Sequence, residues 1–346
     1  MLRANRRSKI FLKTMNLQKR KIRWGVLGYA RIARVEIIPA ILRAENSEFH
    51  ALASRDGAKL AAARAQFPGV AKTFHGYEGL LRDPDVDAVY IPLPNALHRE
   101  WTIRAAEHGK HVLVEKPAAL NAAECREMIA ACAANGVRLM EAFMYRYTAR
   151  TRAVLAVIRS GVLGEIKQVD ATFRFLLANP ASIKLRPELG GGALYDVGCY
   201  PVNFIGMVAD AMAGGAPGAG GLPEAVAVEC VRAGGIDVNF SAVLKYPSGL
   251  LATAHCGFNA HQRVRAEIAG TLGVLEIPDT FLDPAGALTL TVGEERREIP
   301  VAASDRYRHE VEDFAEAILQ ERAPQFTLIE TLRNAEVMDR LMAASR

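Results

Sequence analysis

The 346-residue sequence has no apolar run that approaches the roughly 20 residues of a membrane-spanning helix. Apolar residues make up 50% of the chain and charged residues 23%, which is the composition of a globular protein in aqueous solution. We therefore expect no membrane segment, and a chain long enough to form two domains.

Patterns that would indicate disulfides or a metal site are also missing. The five cysteines form no CxxC pair, and the eight histidines form no HExxH or HxH cluster. An odd number of cysteines in a chain of this size is typical of reduced thiols in the cytoplasm. We predict a cytoplasmic protein without a metal site.

Acidic residues are absent from the first 23 positions, which hold nine of the 43 lysine and arginine residues. The rest of the chain has 34 basic and 38 acidic residues, a net charge of −4, which does not favour nucleic-acid binding. We interpret residues 1–20 as a disordered basic extension. A transit-like or nucleic-acid-binding arm is the alternative interpretation of such a segment.

Residues 21–141 alternate short apolar runs with segments of helical periodicity. The pattern predicts strands at 22–27, 49–53, 73–74, 88–91, 111–114 and 137–140. It predicts helices at 31–44, 58–66 and 96–108, and one from the N-cap residue Asn121 to position 134. This alternation is typical of a doubly wound parallel sheet, so we predict a Rossmann dinucleotide-binding domain over residues 21–141.

From residue 142 onward the pattern changes to a series of strands. These are predicted at 166–177, 225–232, 236–246, 250–258, 263–269, 274–277 and 288–292, with a hairpin turn at Tyr246-Pro247-Ser248-Gly249. Helices are predicted at 150–160, 306–322 and 328–344, and a mobile loop at 213–223. We predict that residues 142–346 form an α/β domain for substrate binding and oligomerisation, with a large, mostly antiparallel open sheet.

The turn after the first strand has the pattern of a dinucleotide-binding loop. Residues 28–33 fit G-x-G-x-x-A, with alanine in the second glycine position. Small residues let the backbone approach a pyrophosphate, and the N-terminus of the following helix attracts its charge. The predicted cofactor contacts are Gly28, Tyr29, Ala30, Arg31 and Ile32. A tight turn without a ligand is the alternative.

The end of the second strand bears on the choice of cofactor. It reads Ala53-Ser54-Arg55, where an acid would be needed to bind the ribose 2′-hydroxyl of NAD. The hydroxyl of Ser54 and the positive charge of Arg55 suit the 2′-phosphate of NADP. We therefore predict NADP, although Asp56 is compatible with NAD.

Three residues form a candidate catalytic group. Lys116 follows the predicted strand 111–114, and Asp196 and Tyr200 are four positions apart, a spacing that places them on one face of a helix. A tyrosine can carry the proton of a hydroxyl/carbonyl redox step, and a nearby ammonium group would lower its pKa from about 10. From spacing alone, a core tyrosine tied to a carboxylate is the favoured alternative.

Five stretches, in a fixed order, resemble the glucose–fructose oxidoreductase / inositol dehydrogenase / rhizopine catabolism protein (Gfo/Idh/MocA) family. They are residues 28–33, Pro94-Asn95-Ala96-Leu97-His98, Glu115-Lys116-Pro117, Glu141-Ala142-Phe143-Met144-Tyr145-Arg146 and residues 190–200. The chain is most similar to the branch of dimeric dihydrodiol dehydrogenases and NADP-dependent xylose dehydrogenases. This resemblance implies an NAD(P)-dependent oxidoreductase acting on a sugar, a sugar derivative or a dihydrodiol. It also implies a homodimer or homotetramer formed through the C-terminal sheet.

The resemblance assigns roles to individual residues. Lys116 would be the catalytic lysine, Tyr200 the proton donor/acceptor, and Asp196 their companion. The residues expected by the cofactor are Pro94, Asn95, His98, Glu115 and Lys116, and those expected by the substrate are Arg146, Lys184 and Tyr200.

One stretch departs from the family pattern. Relatives in this branch often have Asn-Ile-Arg where this chain has Ser182-Ile183-Lys184, which leaves the substrate open. A catalytically silent, NADP-binding regulatory protein of the same fold is the second hypothesis. The presence of Lys116, Asp196 and Tyr200 argues against it.

Overall fold

The structure, a computed structural model, describes residues 20–345. The predicted basic extension, residues 1–20, therefore lies outside the described residues except for its last position. No helix between residues 20 and 345 is both long and apolar enough to cross a membrane.

Six parallel strands form the first sheet, in the order β3-β2-β1-β4-β5-β6. They are β1 (Ile22–Leu27), β2 (Ser47–Ser54), β3 (Lys72–His75), β4 (Ala88–Ile91), β5 (His111–Glu115) and β6 (Leu139–Ala142). This is the predicted doubly wound sheet. Its strand order reverses between β1 and β4, and ligands of such sheets bind at the carboxyl ends of the strands beside this point.

Helices pack on both faces of the first sheet. They are α1 (Ile38–Arg43), which continues a π-helical turn (Ala33–Ile37), α2 (Gly57–Gln66), α3 (Glu78–Leu81), α4 (His98–Glu107) and α5 (Ala122–Ala134). Alternate residues of β4 enter two separate hydrophobic clusters, Tyr90 on one face and Val89 on the other. Asn121 caps α5 as predicted, because its side chain accepts a hydrogen bond from the amide of Glu124.

Eight strands form the second sheet, in the order β14-β13-β12-β11-β7-β10-β9-β8. They are β7 (Ile166–Leu176), β8 (Ala225–Ala233), β9 (Ile236–Lys245), β10 (Leu251–Gly257), β11 (Asn259–Gly270), β12 (Gly273–Pro278), β13 (Gly286–Val292) and β14 (Glu295–Val301). The β7–β10 pairing is parallel and the others are antiparallel. The prediction of a mostly antiparallel sheet is confirmed, and the predicted turn after Tyr246 joins β9 to β10.

Four more helices complete the described chain: α6 (Ala149–Arg159), α7 (Cys199–Met212), α8 (Arg306–Leu319) and α9 (Leu328–Ala344). The last two pack against elements of the first sheet, α8 through Phe314, whose ring lies 5.8 Å from that of Trp24, and α9 along α5. The chain thus returns to the first sheet after completing the second one.

Besides the single-turn helix α3, a strand and a long helix were not predicted, each for a physical reason. β14 is an edge strand with mostly exposed side chains, so its sequence lacks the apolar alternation of a half-buried strand. α7 is buried from Cys199 to Asp210, so apolar residues surround it on all sides and no amphipathic period is visible.

Candidate active site

The carboxyl edge of the first sheet begins with the turn after β1. Gly28 has a φ of +111°, which favours glycine, and its amide donates to the carbonyl oxygen of Ala53 at 2.8 Å. A Cβ atom at this position would lie 3.2 Å from Cδ2 of Leu93. The amides of the following helical turn, from Ala30 to Ile32, have no carbonyl partner within their own helix. A tight backbone beside free amides fits the pyrophosphate of a dinucleotide.

The turn after β2 presents the predicted Ser54 and Arg55. Ser54 is buried, and its hydroxyl accepts a hydrogen bond from the amide of Asp56 at 3.1 Å. Arg55 is exposed, and its guanidinium lies over the ring of Tyr77, 5.6 Å from the ring centre. The Asp56 carboxylate caps α2 by accepting hydrogen bonds from the amides of Ala58 and Lys59. Arg55 therefore presents an exposed cation at this edge, whereas the carboxylate of Asp56, which is also exposed, is engaged by the first amides of α2.

The turn after β4 contains the predicted Pro94, Asn95 and His98. The side chains of Asn95 and His98 make hydrogen bonds to the backbone of other loops. Pro94 precedes a short 3₁₀ turn, Asn95–Leu97, and the Asn95 amide donates to the carbonyl oxygen of Gly190 at 2.9 Å. Asn95 thus connects the first sheet to the glycine run at 190–192.

The prediction that His98 contacts the cofactor is not supported. His98 is fully buried, and its ring nitrogens lie 2.9 Å from the Pro117 carbonyl oxygen and 2.8 Å from that of Leu93. A side chain enclosed in this way has no surface for a ligand. Its role in the structure is to hold the loops after β4 and β5 together.

Glu115, at the end of β5, lies beneath the candidate catalytic lysine. Its Oε1 atom accepts a hydrogen bond of 2.5 Å from the hydroxyl of the fully buried Tyr90. Burial raises the pKa of the Glu115 carboxyl, which the adjacent charge of Lys116 partly offsets. Glu115 therefore places a buried carboxyl group beside the charge of Lys116.

Lys116 and Asp196 come together as predicted. The Lys116 ammonium donates to the backbone carbonyl of Asp196 at 2.6 Å, and lies 3.6 Å from its Oδ1 atom. Lys184, from the stretch that departs from the family pattern, donates to Oδ2 of the same carboxylate at 2.7 Å. One carboxylate therefore lies between two ammonium groups.

The charges of this group reinforce one another. Burial opposes the charged form of Lys116 and is the largest single effect, but the attraction of Asp196 together with that of other acidic groups such as Glu115 outweighs it, so the pKa of Lys116 lies above its usual value. Burial likewise opposes ionisation of Asp196, but the charges of Lys116 and Lys184 outweigh it and lower its pKa. Both groups are charged at neutral pH.

Tyr200 lies in the same group, but its environment differs from the prediction. The Lys116 ammonium lies over its ring, 5.0 Å from the ring centre, while its hydroxyl donates to Sδ of Met144 at 3.4 Å. Four aromatic rings surround it, those of Phe143, Tyr145, Phe173 and Phe281. Burial raises the pKa of Tyr200 well above its usual value. The expected lowering of its pKa by Lys116 is therefore wrong for the protein without ligands.

Close packing explains the glycine run before Asp196. A Cβ atom on Gly191 would lie 2.6 Å from the carbonyl oxygen of Lys184, and one on Gly192 would lie 2.3 Å from Oδ1 of Asp237. The buried Asp237 accepts a hydrogen bond from the amide of Leu194, at the start of the π-helical turn Leu194–Gly198 that carries Asp196. Sequence reasoning missed Asp237, because β9 also contains Asn239 and Ser241 and an acid among them gives no signal of its own.

Arg146, which was predicted to lie near the substrate, makes its main contacts within the protein. Its guanidinium donates to Oε1 of the buried Glu330 at 2.7 Å, and it lies 5.1 Å from the ring centre of Phe326. Only 11% of the Arg146 side chain is exposed. Arg146 therefore connects the segment after β6 to α9.

Two matches to family models cover most of this architecture. Residues 22–143 match an oxidoreductase family with an NAD-binding Rossmann fold, and residues 151–276 match the Gfo/Idh/MocA C-terminal domain.

Relatives of known activity include two dehydrogenases. D-xylose 1-dehydrogenase (NADP(+)) 2 of Haloferax volcanii is 36% identical to this chain over 322 residues. The match covers 91% of this chain and 95% of that protein. The trans-1,2-dihydrobenzene-1,2-diol dehydrogenase of Xenopus tropicalis is 31% identical over 278 residues, which cover 80% of each chain.

A similar solved structure is that of KijD10, a 3-ketoreductase from Actinomadura kijaniata, in complex with NADP and TDP-benzene. It matches with a TM-score of 0.86 at 30% identity, over 94% of this chain and 98% of that one. Solved structures of KijD10 also include a tyrosine-to-phenylalanine variant and two variants of a single lysine.

Proposed function

The chain belongs to the Gfo/Idh/MocA oxidoreductase family, and we propose that it transfers a hydride between NADP and a hydroxyl or carbonyl carbon of a sugar, a sugar derivative or a dihydrodiol. The observation that carries this proposal is the group of Lys116, Asp196 and Tyr200 beside the carboxyl edge of the first sheet. A fold alone does not fix a function, so the chemistry of this group decides the proposal.

NADP binds along the carboxyl edge of the first sheet. The turn at Gly28 and the helix that follows suit the pyrophosphate, and the exposed guanidinium of Arg55 suits the 2′-phosphate. Asp56 is engaged in capping α2, which disfavours its use for the ribose of NAD. NADP is also named for KijD10 and for the Haloferax enzyme. When bound, the nicotinamide supplies or accepts the hydride.

Tyr200 supplies the proton in the reducing direction. Its raised pKa keeps the phenol protonated, so the hydroxyl can donate to a carbonyl oxygen as the hydride reaches the carbonyl carbon. Its partner in the free protein, Sδ of Met144, is a weak acceptor, so a substrate oxygen can replace it at little cost. In the oxidising direction the same proton returns from the alcohol to the phenolate.

Lys116 assists by its fixed positive charge. The hydrogen bond to the Asp196 carbonyl holds its ammonium over the Tyr200 ring, where it stabilises the negative charge that develops on the phenolate. The variants of KijD10 support this pairing, because the substituted tyrosine follows the substituted lysine by 84 positions, the separation of Tyr200 from Lys116.

Lys184 contributes to substrate binding while its ammonium remains paired with the Asp196 carboxylate. Its side chain is 38% exposed, so its ammonium can donate a further hydrogen bond, for example to a sugar hydroxyl oxygen, while it stays on the carboxylate. Arg146 is less suited to such a role, because only 11% of its side chain is exposed and Glu330 engages its guanidinium.

A homodimer or homotetramer forms through the outer face of the second sheet. Apolar side chains on this face include Val231, Val243 and Leu251, which are 57%, 45% and 44% exposed. Contiguous exposed apolar patches mark protein interfaces, and Val243 and Leu251 are diagonal neighbours on the adjacent strands β9 and β10. Sedimentation equilibrium tests this, since Val243→Glu should shift the oligomer towards monomer, and an unchanged mass would contradict it.

A spectrophotometric panel tests the proposed function. The purified chain is assayed for reduction of NADP and NAD with aldoses, inositols, anhydrosugars and dihydrodiols, and for oxidation of NADPH with the corresponding carbonyl compounds. We expect turnover with at least one sugar-like class, and a preference for NADP. Tight NADPH binding without turnover on the whole panel would instead favour the catalytically silent regulator.

A further inference from the structure

A small cavity lies beneath the loop that carries Lys116. It is about 10 Å³ in volume and is enclosed by the loop at 117–121, by Glu141 of β6 and by α9. This is the space that a single water molecule needs.

The Thr331 hydroxyl lies close enough to the Glu141 carboxyl to lower its pKa. Even so, three residues that line the cavity each contribute one buried polar atom, and these three atoms have no hydrogen-bond partner of normal length and angle within residues 20–345. They are Oε2 of Glu141, Oγ1 of Thr331 and Oδ1 of Asn334. Their residues are only 2%, 2% and 4% exposed. Buried polar atoms are nearly always hydrogen-bonded, and an internal water typically has two to four such partners. The polarity and the size of the cavity therefore both suit one water molecule.

The cavity is directly connected to the catalytic loop. The other oxygen of Glu141, Oε1, accepts a hydrogen bond of 2.9 Å from the amide of Ala118, two residues after Lys116. Glu141 can thus hold the loop with one carboxylate oxygen and α9 with the other. The water completes this connection, because Thr331 and Asn334 both belong to α9.

We propose that this cavity binds one water molecule, and that Glu141, through the water and the Ala118 amide, is a positioning residue for Lys116. The effect on turnover rests on the proposed function, whereas the water site does not. Glu141 does not touch the reacting atoms. It determines where the Lys116 ammonium lies relative to Tyr200, and a misplacement of about 1 Å can cost on the order of a hundredfold in rate.

The water site is tested by crystallography of the full chain. We expect a density peak within hydrogen-bonding distance of Glu141, Thr331 and Asn334 at a resolution that reveals internal waters. Thr331→Val should remove this peak while retaining the shape of the side chain. A cavity without density in the wild-type crystal would overturn the site, whether or not the protein turns over any sugar.

The positioning role is tested with Glu141→Leu and Glu141→Gln. Leucine removes both connections, so we expect kcat to fall by about tenfold or more with KM and the NADPH dissociation constant nearly unchanged. Glutamine keeps an acceptor for Ala118 and a donor for the water, and should recover most of the loss. Thr102→Val is the matched control, since it removes another buried, unpartnered hydroxyl that lies outside the cavity lining.

The crystal structure of Glu141→Leu gives a readout that does not depend on activity. We expect the Lys116 ammonium to leave the Asp196 carbonyl by about 1 Å or more. A Lys116 side chain in its wild-type position, or a kcat for Glu141→Leu equal to that of Thr102→Val, would overturn the positioning role.

Discussion

The ammonium group of Lys116 lies over the ring of Tyr200, 5.0 Å from the ring centre, and not on its hydroxyl, which donates to Met144. A cation over an aromatic face is attracted to the ring whether or not the phenol is ionised. The proton therefore stays on Tyr200 until a substrate oxygen replaces the thioether. This relationship leaves the phenol of Tyr200 protonated in the free protein, which suits its proposed role as proton donor in the reducing direction.

Replacing Arg55 with aspartate tests the choice of cofactor. The variant removes the cation proposed for the 2′-phosphate, so we expect NADPH affinity to fall by about 10- to 100-fold, the size of a charge-assisted hydrogen bond, with little loss for NADH. Fluorescence titration with both nucleotides measures this. Arg297→Asp, an exposed arginine of β14, is the control. Equal losses for the two nucleotides would show that Arg55 does not recognise the 2′-phosphate.

Lys184→Met separates substrate binding from stability. The Lys184–Asp196 pair is partly exposed, and Lys116 remains on the carboxylate, so the free energy of unfolding should change by no more than about 1 kcal/mol. We expect the KM for the sugar to rise several-fold while NADPH binding is retained. Lys184→Arg keeps the charge and should be close to wild type. An unchanged KM in Lys184→Met would remove Lys184 from the substrate site.

Arg146→Ala tests whether Arg146 acts in stability or in substrate binding. It leaves the buried carboxylate of Glu330 without its partner, a change that typically costs about 3–5 kcal/mol. We expect a large loss of stability in urea denaturation. The double variant Arg146→Met/Glu330→Gln removes both charges and should recover much of it. A stable Arg146→Ala protein with a raised KM would instead restore Arg146 to the substrate site.

Glu141 makes stability depend on pH. Burial raises the pKa of its carboxyl from 4.5 to about 7, and Lys116, Glu115, Cys125 and Cys199 are the other titratable groups around it. Between these two pH values the folded state binds more protons than the unfolded state, so the contribution of Glu141 to the free energy of unfolding falls as pH rises. The Glu141→Gln variant has no ionisable group at this position, so its stability does not fall in this way.

We therefore expect the stability of Glu141→Gln relative to wild type to rise between pH 5 and pH 8 by on the order of 3 kcal/mol. Urea denaturation at several pH values measures this difference. Glu45→Gln, at an exposed glutamate, should show a constant difference over the same range. A constant difference for Glu141→Gln as well would contradict the raised pKa.

The central strands of the first sheet were predictable because they are buried on both faces. β4 is a continuous apolar run and β1 is interrupted only by Arg23, and Gly28 and Asn121 mark the turns and caps between strands and helices. The physical signal in each case is local, so one sequence suffices. β14 and α7 lack such local signals, the first because its side chains are exposed and the second because nearly all of its side chains are buried.

Site residues were predictable where they belong to a short sequence motif. Their contacts were not predictable where the partner is distant in sequence and is brought close only by packing. Lys116 and Asp196 stand in short patterns, and they do come together. Arg146 stands in such a pattern too, but its partner Glu330 is 184 positions away, and only the packing of α9 brings the two together. The hydrogen bond from the Tyr200 hydroxyl to Met144 likewise forms only because packing brings the two residues together.

The most direct test of the proposed mechanism is the turnover of Tyr200→Phe in the reducing direction, measured with NADPH and the best carbonyl substrate across a range of pH. Loss of the proton donor should lower kcat by about 100-fold or more while the NADPH dissociation constant stays within about twofold, and Lys116→Met should behave alike. Tyr246→Phe, at a buried tyrosine of the β9–β10 turn, should retain wild-type turnover. Near-normal rates for Tyr200→Phe and Lys116→Met at every pH would contradict the account.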